Sequence, residues 1–116
     1  MMNDFELFQS EFKKWQQRFG LIGYTIHFKH EPMDNSFADI TTGQVCMSAT
    51  VRLNSELPEK DILFKDIKRD AKHEALHLLI HELEARARCR YVSPDDIYES
   101  CEGLVNKLMK LIPEEE

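Results

Sequence analysis

Aromatic residues set the first pattern. Phe5, Phe8, Phe12, Trp15 and Phe19 recur at alternating three- and four-residue steps, which lays one apolar stripe along a helix. Asn3 or Asp4 can accept from the free amides at its start, and Gly20 suits its end. A stripe of this kind reads as core. The period then drops to two. Tyr24, Ile26 and Phe28 alternate with Thr25, His27 and Lys29, as in a half-buried strand, which leaves His27 and His30 as surface residues. Val45, Met47, Ala49, Val51 and Leu53 alternate in the same way with Cys46, Ser48, Thr50, Arg52 and Asn54. A short strand over Phe37 to Thr42 is expected to pair with this segment through a turn at Gly43.

The remainder is helical. Asp61 to Arg88 reads as one long helix with apolar residues on most sides, among them Ile62, Phe64, Ile67, Ala71, Leu76, Leu79, Ile80 and Leu83. Such a helix is expected to be central and buried. Ser93-Pro94-Asp95-Asp96 restarts the chain: Ser93 is a natural N-cap, Pro94 fits the first turn, and the aspartates suit the positive end of the helix dipole. The last helix carries Ile97, Cys101, Leu104, Val105, Leu108, Leu111 and Ile112 on one face and stops at Pro113. Helix, small three-stranded sheet, helix, helix is an α+β order. It fills one domain over 1–113, with an acidic tail at 114–116.

Composition narrows the class. With 116 residues, 42% hydrophobic and 31% charged, the chain has enough apolar mass for one modest core. The net charge of -6 makes nucleic acid an unlikely partner. No stretch approaches the roughly 20 apolar residues that span a bilayer, and the N-terminus lacks the pattern of a secretory signal. Cys46, Cys89 and Cys101 show no metal-finger or disulfide spacing, so free thiols in a reducing, cytoplasmic setting are expected.

His73-Glu74-Ala75-Leu76-His77 is an H-E-x-x-H motif inside the long helix. Residues at i and i+4 lie one turn apart on the same face, so two imidazoles can grip one zinc ion. Glu74 beside the first ligand can take a proton from a water that the metal has made more acidic. Chance histidines with ordinary partners are the alternative, but two histidines and a carboxylate in a buried helix would need partners. A catalytic zinc has three protein ligands. The extended pattern with a third histidine is absent, since Ile80 and Leu83 stand at its positions. His81 lies roughly 12 Å along the axis from His73, too far to share the ion, and reads as a supporting or surface residue. If the last helix returns antiparallel, Glu102 comes back near the level of His77. Its wheel neighbours Tyr98, Val105 and Met109 place it at the edge of the apolar face. Glu99 is the rival, on the more polar side.

The stretches Ala71-Lys72-His73-Glu74-Ala75-Leu76-His77-Leu78-Leu79 and Tyr98-Glu99-Ser100-Cys101-Glu102-Gly103-Leu104-Val105 resemble the small zincin-like metallopeptidases of phages and prophages. These are minimal gluzincins in layout and are more loosely similar to SprT-like proteins. The resemblance covers the C-terminal half, and the N-terminal helix and sheet agree in order. It implies a zincin-like fold with an active-site helix and a glutamate helix, Zn2+ held by His73, His77 and Glu102, and a protein or peptide substrate. In zincins an edge strand above the metal aligns an extended substrate, and the Val45 to Leu53 strand is the candidate. Tyr91 or Tyr98 could stabilise the oxyanion. The expected activity is zinc-dependent amide hydrolysis with Glu74 as general base. A zinc-stabilised binding or regulatory module that cleaves nothing is the alternative.

Overall fold

The computed structural model describes residues 2–43 and 47–112. Its elements are α1 (Asp4–Arg18), β1 (Thr25–Glu31), β2 (Ala38–Gly43), β3 (Ser48–Asn54), α2 (Ile67–Arg88) and α3 (Pro94–Leu111), with a 3₁₀ segment at Glu59–Phe64 before α2. This is the α+β order expected from the sequence: helix, three-stranded sheet, two helices. No described helix is long and apolar enough to cross a membrane.

The ends of α1 follow from local chemistry. The Asn3 side chain accepts from the Glu6 amide at 2.8 Å, which satisfies one of the donors a helix start leaves free. Gly20 leaves the helix at φ +72°, a left-handed conformation that costs glycine nothing. Gln16 then donates its side-chain amide to the carbonyls of Leu21 and Tyr24, which fixes where β1 begins.

Two strands flank a third. The sheet order is β1-β3-β2, with β1 parallel and β2 antiparallel to β3. Ala49, Val51 and Leu53 point from β3 into the core, as their alternation requires, and all three are buried. On the other face Arg52 bridges both neighbours: its Nε donates to Asp39 of β2 at 2.9 Å and its Nη1 to Glu31 of β1 at 3.1 Å. Asn54 closes the β1–β2 connection by accepting from Met33 N and donating to Met33 O and Ser36 O.

The core lies between this sheet, α1 and α2. Phe8 and Phe12 meet Phe28 of β1 edge to face, with ring centroids 6.4 and 5.6 Å apart, a favourable aromatic geometry. On α2, the fully buried Ala71 and Ala75 leave room for α1 to approach.

Three sequence expectations need correction. The long helix is broken: Asp66 caps a fresh start by accepting from Arg69 N at 3.1 Å, and 59–64 form the separate 3₁₀ segment. Nor is α2 buried all round. It buries Ile67, Ala71, Glu74, Ala75, Leu78 and Leu79, whereas Leu76, Ile80 and, in the 3₁₀ segment, Ile62, Leu63 and Phe64 are exposed. Counting apolar residues without their phase hid the single buried face. Finally, the segment read as Val45 to Leu53 is a strand from Ser48 onward, with Val45 and Cys46 outside the described residues. It is the central strand, paired on both sides; the strand beside α2 that pairs on one side only, among the described residues, is β2.

Candidate metal centre on helix α2

The i, i+4 spacing does bring the two histidines together. His73 Nε2 and His77 Nε2 are 3.1 Å apart, with both side chains exposed on one flank of α2. Two nitrogens each about 2.0–2.1 Å from a tetrahedral zinc are about 3.3 Å apart, so the pair already has close to the bite that the ion requires. The rings stand at 73° to each other, edge to face rather than stacked.

Glu74 lies on a different azimuth. It sits where the histidine flank meets the core and is only 6% exposed. Burial, reinforced by the negative charges of Asp39 on β2 and Asp70 one turn earlier, pushes its carboxyl up to about 7. A carboxylate so placed exchanges a proton near neutrality, where a general base works best. Asp70 is also raised, first by burial and then by Asp66, with Arg69 and His73 acting the other way. Neither Asp39 nor Asp70 was singled out in the sequence. Asp70 could have been, since it stands at i−4 from Glu74 on the same side of the helix. Nothing in the linear chain announces Asp39, which arrives through the β2–β3 register.

The strand β2 runs alongside this flank. Ile40, Thr41 and Thr42 form one wall of a cavity of about 300 Å³ whose other wall is His77, His81, Glu84 and Arg88. His81 is half-buried, and its shielded Nε2 has no hydrogen-bond partner among the described residues.

Glu102 is not brought to the pair. No group of three or more His, Cys, Asp or Glu side chains close enough to share a metal ion is assembled among the described residues. The reason is rotational. The side of α3 turned toward α2 is marked by the buried Ser100 and the half-buried Leu104 and Leu111. Glu102 lies roughly 200° around the helix from Ser100, exposed among Tyr98, Val105 and Met109, which are themselves exposed. The wheel sets Glu102 at the edge of the apolar face and so predicts an inward side chain, but that part of the face is not the part that meets α2. Glu99 is exposed as well, and so are Tyr91 and Tyr98.

Comparison of the chain with protein-family models, with curated proteins and with solved structures gave no match.

Proposed function

We propose that the chain is a zinc-dependent metallohydrolase that cleaves amide bonds of a protein or peptide substrate. The observation that carries this reading is the His73–His77 pair, with its two nitrogens 3.1 Å apart, next to a buried glutamate whose carboxyl is poised near 7. It agrees with the resemblance of the motif to phage and prophage zincin-like peptidases. His73 and His77 would hold the metal. A zinc ion there supplies Lewis acidity, which polarises a carbonyl and makes water a stronger acid.

The protein's own groups do the rest. Glu74 takes the proton from the attacking water and returns it to the leaving amine, which its near-neutral carboxyl suits in both directions. The backbone of β2, unpaired on one side among the described residues, offers an extended substrate a strand to join; β2 thus takes the role first expected of β3. Glu102 remains the ligand assigned from sequence for the third position, and to serve within one chain α3 would have to turn by about half a revolution. Cys89 and Cys101 are free thiols, which suits a reducing cytoplasm.

The decisive experiment pairs metal analysis with kinetics. Wild type should hold one zinc per chain, lost in both His73→Ala and His77→Ala, and chelation should lower the melting temperature. Glu74→Gln should keep the zinc and lower hydrolysis of a denatured-protein or peptide library by about 10²–10⁴-fold. Equal rates for mutant and wild type would refute the role of Glu74. Full zinc occupancy in the histidine variants would refute the site. Bound zinc with no cleavage in any background would favour the binding-module reading. Glu102→Gln should weaken zinc binding more than Glu99→Gln if the third ligand is Glu102.

A further inference from the structure

A second cavity opens within one turn of the histidine pair. It measures about 300 Å³ and lies where the 3₁₀ segment and the start of α2 meet the sheet. Asp70 belongs to both places: it lines this cavity, and it precedes His73 by three residues and Glu74 by four. The cavity has two kinds of wall. Phe37, Leu53, Ile62 and Ile67 are apolar, whereas Asp70 and Glu56 supply carboxylates, Glu56 from an exposed position. The one lysine in the lining, Lys65, is neutralised by Asp4 at 2.6 Å.

Asp70 is the informative group. Its Oδ2 is shut off from solvent and has no hydrogen-bond partner among the described residues. The residue as a whole is half-buried and lines the cavity, so its carboxylate is partly desolvated, and the lining lysine is already taken by Asp4. A cation entering the cavity compensates the carboxylate as a whole, Oδ2 itself being closed to the cavity. The occupant is not a bare metal ion, because the carboxylates do not cluster with a third ligand among the described residues. Apolar walls leading to carboxylates match a long aliphatic stem that carries a charged head.

From this we infer that the cavity is the binding pocket for a lysine or arginine side chain of the substrate. The inference rests on the hydrolase reading for the identity of the chain that brings that side chain. The register supports the delivery. Ala38 of β2 pairs with Leu53, and Phe37 and Leu53 both line the cavity. A substrate strand that joins the free edge of β2 and crosses the histidine pair therefore reaches the pocket at the Ala38 end. The enzyme would select chains with a basic residue at one fixed distance from the cleaved bond.

The test separates the pocket from the chemistry. N-acetyl-arginine amide, N-acetyl-lysine amide and the neutral N-acetyl-citrulline amide are titrated into the whole protein by NMR. The basic amides should shift the signals of Leu53, Asn54, Ile62 and Ile67, and citrulline should bind at least tenfold more weakly. Asp70→Asn, nearly isosteric at a site that already disfavours charge, should fold normally and lose at least tenfold of the arginine affinity. Glu56→Gln, exposed and so harmless to folding, should lose less. In a peptide library, wild type should prefer Lys or Arg at one position by at least tenfold, and Asp70→Asn should lose that preference. Equal binding of citrulline and arginine, or an unchanged Asp70→Asn, would overturn the pocket. Cleavage without basic preference would overturn the pocket and leave the hydrolase standing. Pocket binding without any cleavage would do the reverse, leaving a site for basic side chains on a protein that hydrolyses nothing.

Discussion

Helices α1 and α3 look alike in sequence and behave differently in the fold. Each is amphipathic, with a clean apolar stripe and a good N-cap. Yet α1 buries Phe8 and Phe12 completely, whereas the only residue that α3 buries is Ser100. The cause is what each one meets. α1 lies in the angle between β1 and α2, so its aromatics are enclosed from two sides. α3 leans chiefly on α2 and meets no second element as broadly among the described residues. An amphipathic stripe therefore states what a helix can bury, and the number of neighbours decides how much of it is buried. The candidate metal centre sits on the element shared by both regions: α2 turns its densely packed face to α1 and the sheet and carries the histidines on an open flank.

The largest expected effect tests the dense side. Phe12→Ala removes a fully buried ring and should cost about 3–5 kcal/mol in chemical denaturation, by lost burial together with the cavity left behind. A loss below about 1 kcal/mol would mean that the α1 side is no better packed than α3.

Next comes a pH effect at the border of that core. Glu74 is shifted up to about 7 from an ordinary value near 4.5. The folded state therefore binds its proton more tightly than the unfolded chain does. Stability from this group is fully present below about 4.5 and is lost as pH rises through about 7, by about 3 kcal/mol at most. Asp70, raised in the same direction, adds a slope of the same sign. Denaturation of zinc-free protein between pH 4.5 and 8 should show the decline, and Glu74→Gln should remove most of it. An unchanged slope in the variant would move the effect away from Glu74.

The same contrast explains what could be read from the linear chain. The α1 stripe, the β1 and β3 alternations and the pairing of His73 with His77 depend on periods of 2 and 3.6, and the caps at Asn3 and Ser93 on local side-chain chemistry, all of which sequence carries directly. Three things do not. The break before α2 depends on Asp66 capping a new start inside an unbroken apolar run. The central position of β3 depends on long-range pairing with both β1 and β2. The orientation of Glu102 depends on how α3 is rotated against α2, which a wheel leaves open because its apolar arc is wider than the face it buries.

A smaller effect concerns how α3 is held. With so little buried, its ends matter: Ser93 Oγ accepts from Asp96 N at 3.1 Å, and Asp96 accepts from Ser93 N at 3.2 Å, a reciprocal capping box. Ser93→Ala should cost about 1 kcal/mol and raise amide exchange in the first turn of α3 ahead of α1. Exchange that rises equally in both helices would mean that α3 unfolds only with the whole domain.

The smallest effect belongs to the outer face of α3, and it decides whether the comparison holds in solution. Tyr98, Val105 and Met109 are 64, 50 and 63% exposed in the single chain. A residue left in water has little burial to lose, so Val105→Ser and Met109→Gln should each change stability by no more than about 0.5 kcal/mol. Helix propensity pulls the same way, since valine, serine and glutamine differ by only a few tenths of a kcal/mol in a helix. Urea denaturation at two protein concentrations a hundredfold apart gives the measurement. Two results would break the contrast with α1: a loss above about 2 kcal/mol, or a midpoint that climbs with concentration in wild type and not in the variants. Either would mean that α3 has its second layer after all, provided by another copy of the chain rather than by its own fold.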